Sequence, residues 1–241
     1  MTDLFYEGRD LEVLAEMPRY YDWIMDAFAP HVRGRVVEYG AGAGTVSMRL
    51  EPLADRLTLV ELSTNLVETL QQRFRNNPEV DVISRSLEEH AAELGAEAVD
   101  TVVMVNVLEH IEDDRAALAD LVRILRPGGS LLLFVPALQF LMSELDLMHG
   151  HFRRYQRGDL AAKVEAAGAR VEVCRYFDFA GVVPWLLLNK MLGSTDFNPR
   201  LIGIHDRYVV PVSRAAERVV TPPWGKNVIL IAKRPIASAR P

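Results

Sequence analysis

The sequence predicts an α/β protein built on a doubly wound, mostly parallel sheet, and three observations carry that prediction. Residues 36–45 (VVEYGAGAGT) are an apolar strand that ends in an acid and runs into three glycines at alternate positions. Residues 99–105 (VDTVVMV) and 130–135 (SLLLFV) are apolar without alternation, which requires cover on both faces, as in a parallel sheet. Between these strands lie segments of helical spacing, with no internal repeat or low-complexity linker, so one doubly wound domain over residues 1–241 is the economical answer.

Each element follows in order. Residues 11–28 place apolar side chains at near-helical spacing and predict one or two helices before the first strand, a cap of residues 1–33. Three glycines this close together cost backbone entropy, which points to a ligand approaching the main chain. Gly40, Gly42 and Gly44 give G-x-G-x-G, with Glu38 two residues ahead, whereas the dinucleotide fingerprint is G-x-G-x-x-G. A helix over 45–53 points its N-terminus at that loop. Residues 57–61 (LTLVE) predict the second strand, and Glu61 falls near the offset at which an acid reaches ribose hydroxyls in βαβ folds. Ser63 N-caps a helix to about residue 75, and Asn76-Asn77-Pro78 ends it. A third strand over 80–84, a helix over 87–94, the fourth strand over 99–105 and a helix over 113–125 come next. The turn Arg126-Pro127-Gly128-Gly129 then delivers the fifth strand.

Composition narrows the class. A chain of 241 residues, 49% apolar, can bury a large core. A net charge of −6 argues against a nucleic-acid substrate. The single cysteine, Cys174, excludes an intramolecular disulfide, and no Cys/His cluster has zinc-site spacing. The charged segment MTDLFYEGRD does not read as a signal peptide, and the longest apolar run, 182–188, is too short for a membrane span, so the expected location is cytoplasmic.

The glycine loop with Glu38 resembles motif I of the class I S-adenosylmethionine (AdoMet) methyltransferases. The resemblance broadens at residues 99–114 (VDTVVMVNVLEHIEDD) and 121–136 (LVRILRPGGSLLLFVP), and covers roughly 34–136 and the terminal strand 227–233 (NVILIAK). It implies a Rossmann-like, seven-stranded sheet with an antiparallel edge strand, formed as a hairpin for which 170–177 and 227–233 are the natural members. It also implies S-adenosyl-L-methionine as cofactor, S-adenosyl-L-homocysteine as product, and methylation of O or N on a small-molecule acceptor, in bacterial secondary or cell-surface metabolism. Gly40, Gly42 and Gly44 would pack beside methionine and ribose, Glu38 would meet the ammonium group, Glu61 the ribose, and Leu62 the adenine. Ser86 and Leu87 sit where the family often has an acid and an apolar residue, so Ser86 departs from the pattern. Asn106 would face the methionine half. The alternatives are a noncatalytic scaffold of the same fold, or a Mg²⁺-assisted enzyme acting on a quinone or an RNA end.

Catalytic residues are less legible. His110 is either a general base or a loop-capping residue. The pattern E-x-x-E-H with a distant histidine is a Mg²⁺ site in some RNA 3′-end and quinone O-methyltransferases; here Asn106 replaces the first acid, a weaker ligand for a hard cation, and no metal ligand is assigned. Residues 137–157 form the expected acceptor-site loop. Within it, 143–155 (SELDLMHGHFRRY) offers His149 and His151 as bases, and Arg153, Arg154 and Tyr155 for substrate binding. Arginines in such a loop also pair with nearby acids, such as Asp146 and Asp159. Residues 178–225 form an insertion too long for an ordinary loop. A pocket lid or a homodimer contact ranks first for it, ahead of membrane docking, because few basic residues flank its apolar run.

Overall fold

In the computed structural model, which describes residues 5–6, 16–193 and 199–236, seven strands form one sheet. They are β1 Arg35–Tyr39, β2 Arg56–Val60, β3 Val80–Ile83, β4 Val99–Val105, β5 Leu125–Pro136, β6 Arg170–Phe177 and β7 Asn227–Lys233. Their order is β3-β2-β1-β4-β5-β7-β6. Pairings from β3 through β5 are parallel, and β7 runs antiparallel to both β5 and β6. The expected hairpin therefore forms that edge, with β6 outermost and the reversed strand β7 beside it.

The unbroken apolarity of the strands now has its physical reason. Leu131, Leu133 and Val135 enter one core cluster, while Leu132 and Phe134 enter the other, on the opposite face. Strand β7 divides likewise: Val228, Leu230 and Ala232 join the first cluster, Ile229 and Ile231 the second. Period-two alternation delivers apolar residues to both faces, so no position is left for a polar one.

Most predicted elements stand within a residue or two. The third strand stops at Ile83, one residue short of expectation. The helix Leu87–Leu94 opens on a full capping box, Ser86 Oγ accepting from Glu89 N–H while Glu89 reaches back to Ser86 N–H. The helix expected over 45–53 is Ser47–Leu50 followed by a 3₁₀ turn, Glu51–Leu53, because Pro52 cannot donate to an α-helical ladder. The Arg126–Gly129 segment lies inside β5 and is not a turn before it. Gly128 N–H donates to Arg234 and Arg126 holds Asp100, with a register shift against β4 between Val99 and Thr101.

The N-terminal helix is Pro18–Phe28; the earlier part of its predicted span, 11–15, lies outside the described residues. Its N-cap residue, Met17, offers no capping side chain. Asp206, from the insertion, does that work: its carboxylate accepts the Tyr20 N–H at 2.9 Å and the Arg19 N–H at 3.4 Å. The insertion itself is helical. Val182–Pro184 continues as the π-helix Trp185–Met191, and Pro199–Ile204 continues through the π-helical turn His205–Val209 into Val210–Val219. That second wide turn directly precedes Pro211, whose ring would clash with an α-helical carbonyl four residues back.

Candidate active site

Strand order reverses between β1 and β4, and the crevice at the carboxyl ends of these strands is where open α/β sheets bind ligands. The glycine loop leaves β1 there. Gly40 has φ +68°, and a Cβ on it would lie 2.3 Å from Val107 Cγ2, so only glycine fits beneath the loop that follows β4. Gly42, with φ +55°, turns its N–H to Glu61, at the end of β2, 2.9 Å from Oε2. The other oxygen, Oε1, accepts the N–H groups of Leu62 and Ser63, both at 2.9 Å. Three backbone donors thus fix the one carboxylate that the sequence assigns to ribose.

Glu38 is buried and accepts the Ser47 hydroxyl at 2.5 Å. Burial pushes its carboxyl up to about 8; the Ser47 hydrogen bond works against that and the charge of Glu61 adds to it. Leu62 is 47% exposed at the crevice, whereas Leu87 is buried in the core. The Ser86 hydroxyl oxygen is engaged in its helix cap. Asn106 is exposed at φ +54°, in the left-handed region that asparagine tolerates, and its N–H donates to Phe134 O at 2.8 Å.

A second cluster gathers beside the end of β4. His110 and His151 have ring centroids 4.6 Å apart, and His149 lies 6.3 Å from His151. The three histidines singled out from the sequence, 41 positions apart at most, thus share one site. His151 Nδ1 lies 2.9 Å from Asp146 Oδ1, and His149 Nδ1 lies 2.7 Å from Leu145 O. Both partners are acceptors, so each Nδ1 carries the proton, and in the neutral ring Nε2 keeps its lone pair. Asp146 is buried. Burial alone would raise its carboxyl, but the His151 hydrogen bond and the Arg154 charge outweigh that and hold it at about 2.

Glu109 completes the cluster. It is fully buried, burial pushes its carboxyl up to about 8, and neither of its oxygens has a hydrogen-bond partner. Ligand atoms of Glu109, His110 and His151 all lie within 4.8 Å of one another. An orphaned carboxylate beside two imidazoles, one of them backed by a carboxylate, is a donor set that fits a divalent cation of the borderline type.

The residues expected to bind substrate have other employment. Arg154 is buried, its guanidinium 2.8 Å from Asp146 and 4.5 Å from the Trp185 ring centroid. Arg153 pairs with Asp114 at 2.9 Å and donates to the Ile111 and Glu112 carbonyls. Tyr155, also buried, donates to Asp114 and Leu108 O. Their donors brace the acceptor-site loop from within; Arg153, Arg154 and Tyr155 also line a shallow cavity of about 250 Å³ with Arg115, Asp159 and Lys163. One residue and one contact escaped the sequence reading. Ser47 gives no signal, being a serine inside a short helix; Asp146 is expected only as an arginine partner, and its bond to His151 and its place in the Ser143 capping box are not foreseen.

The strand order, with β7 reversed beside β6, and the glycine loop after β1 have the Rossmann-like form of the class I AdoMet-dependent methyltransferases, which this chain resembles. Residues 37–133 match the methyltransferase domain family. It is 33% identical over 116 residues to an uncharacterized methyltransferase of Mycobacterium bovis, across 46% of this chain and 55% of that one. The chain thus spans about half the length of that curated relative. A ubiquinone biosynthesis O-methyltransferase of Xanthomonas euvesicatoria is 26% identical over 180 residues, covering 68% of this chain and 73% of the relative. A SAM-dependent methyltransferase structure from Archaeoglobus fulgidus superimposes with a TM-score of 0.60 at 15% identity, covering 89% and 94% of the two chains. Among the described residues no helix is long and apolar enough to cross a membrane.

Proposed function

We propose that this chain binds AdoMet in the crevice between β1, β2 and β4 and methylates O or N of a small-molecule acceptor. The observation that carries the reading is Glu61, fixed by Gly42, Leu62 and Ser63 N–H groups with an acceptor lone pair to spare for a ribose hydroxyl. Glu38 meets an ammonium group directly or through water. When bound, AdoMet supplies a methyl group on a sulfonium whose positive charge vanishes as the new bond forms. The protein's share is alignment and exclusion of water, which alone can lower the barrier by many orders of magnitude. His151, its Nδ1 held by Asp146, is the base that takes a hydroxyl proton at Nε2; His110 and His149 flank it.

A second reading keeps the same cofactor site and adds a cation. Glu109, His110 and His151 would hold it, and a bound cation would lower the pKa of an acceptor hydroxyl. The relative's name in ubiquinone biosynthesis favours an oxygen acceptor.

Calorimetry with S-adenosylhomocysteine tests the first reading. The wild type should bind at micromolar Kd and Glu61→Ala at least about tenfold more weakly, the loss of a charge-assisted contact. No binding by the wild type would leave the noncatalytic scaffold. Repeating the titration with Mn²⁺, Zn²⁺ or chelator, and with Glu109→Gln, tests the cation.

A further inference from the structure

The insertion sorts its charges by side. Among its described residues the acids are Asp178, Asp206 and Glu217, and all three are buried. Asp178 lies 3.5 Å from Lys226 Nζ, Asp206 caps the N-terminal helix, and Glu217 accepts the Phe179 N–H and pairs with Arg175. The cations face the other way. Arg214 and Arg218 pair with Asp26 of the N-terminal helix, and Lys190 and Arg207 are exposed, so this segment turns positive charge outward on a chain whose net charge is −6.

Apolar side chains go outward with them. Leu187, Met191, Leu192, Ile204, Tyr208 and Val212 are all exposed, Met191 and Val212 at 68% and Leu192 at 76%. More than half of the large apolar side chains left exposed among the described residues belong to this insertion. Apolar surface of that extent marks an interaction site, and apolar side chains interleaved with cations and a tyrosine suit the headgroup boundary of an anionic bilayer.

We propose that the insertion is a membrane-docking face that seats on anionic lipid. Taking the methyltransferase reading as its basis, the inference adds that the acceptor is drawn from that lipid surface. A second copy of the chain is the weaker occupant. A two-fold contact sets the same patch against itself, and here it would bring cations against cations. Few basic residues flank the apolar run in sequence, and the returning helix, 199–219, supplies Arg207 while its acids turn inward.

The docking face also connects to the chemistry. Trp185 Nε1 donates to Leu141 O at 3.1 Å, and Lys190 Nζ donates to Phe140 O, so the first insertion helix lies against the acceptor-site loop. Trp185 also stacks on Arg154, which pairs with Asp146, the residue that orients His151. A helix resting on lipid would thus sit three contacts from the proposed base.

The test is co-sedimentation of the full chain with phosphatidylcholine vesicles, with and without phosphatidylglycerol, at low and high salt. The expected result is binding to the anionic vesicles that weakens with salt. It should fall by about tenfold or more in Lys190→Glu/Arg207→Glu, two charge reversals at the surface, and also in Leu192→Asp. S-adenosylhomocysteine calorimetry on the same variants should match the wild type, which shows that they fold. Equal or absent sedimentation with both vesicle types would overturn the proposal. So would a concentration-dependent dimer, by sedimentation velocity, that Leu192→Asp dissolves. Vesicle binding without homocysteine binding would sink the methyltransferase reading and leave the docking face standing.

Discussion

Asp146 Oδ1 stands 2.9 Å from His151 Nδ1 and 2.8 Å from the Arg154 guanidinium, so one buried oxygen serves both an imidazole and a cation. The carboxylate, held at about 2, stays ionised near neutral pH and can only accept. Neutral His151 is therefore the Nδ1–H tautomer, with Nε2 free to accept a proton or a cation. Nitrogen-15 NMR of the imidazoles should show that tautomer in the wild type. Dominance of the Nε2–H form would remove His151 from the role of base, since its lone pair would then face Asp146.

Arg154 and Arg153 separate a structural arginine from a peripheral one. Removing Arg154 leaves Asp146 buried with one cation fewer, a loss that costs roughly 3–5 kcal/mol in such pairs. For a chain of this length that is on the order of 10 °C in Tm. Arg153 is partly exposed, and Asp114 keeps Lys163 as a second partner, so Arg153→Ala should cost about 1 kcal/mol. Thermal melts of the two alanine variants decide it. Equal small losses would free Arg154 from its bracing role and return it to the acceptor site.

The sheet was legible because β4, the second half of β5, and β7 are apolar on both faces, a pattern that only a doubly covered strand explains. The geometry of the glycine loop was legible because G-x-G-x-G and Glu61 are local signals of steric and electrostatic need. The acceptor site was not, because its decisive contacts join residues remote in sequence. Nothing near Arg154 announces that Trp185 will lie on its guanidinium, and nothing near Met17 announces that Asp206 will cap its helix. Arg153, Arg154 and Tyr155 looked like substrate donors because a loop rich in donors reads the same whether they face out or in. Burial distinguishes the two cases, and burial is a tertiary property.

Gly40 makes a two-part prediction. An alanine there meets Val107 Cγ2 at 2.3 Å and must also hold φ +68°. The second cost alone is about 1–3 kcal/mol. Gly40→Ala should lower Tm and weaken S-adenosylhomocysteine binding, and adding Val107→Ala should recover the collision term only. A double variant restored to wild-type stability would show that the backbone angle carries no strain.

Glu38 ties stability to pH with a definite sign. Burial raises its carboxyl from the ordinary 4.5 to about 8 in the folded protein. Between those values the folded chain keeps the proton and the unfolded chain releases it, so folding is favoured by proton uptake. The contribution is complete below about pH 4.5, declines as pH rises, and is gone above pH 8. Glu38→Gln keeps the Ser47 hydrogen bond but cannot ionise, so it lacks that decline. The Tm of the wild type relative to Glu38→Gln should therefore fall steadily from pH 5 to pH 8.5, by the equivalent of a few kcal/mol. Ligand affinity should run the opposite way. The ammonium of S-adenosylhomocysteine favours ionised Glu38, so its binding to the wild type should tighten as pH rises toward 8 and stay flat in the glutamine variant over the same range. Parallel curves for the two proteins, in melting and in calorimetry, would mean that Glu38 is already ionised at pH 5 and that Ser47 and the loop amides overcome its burial.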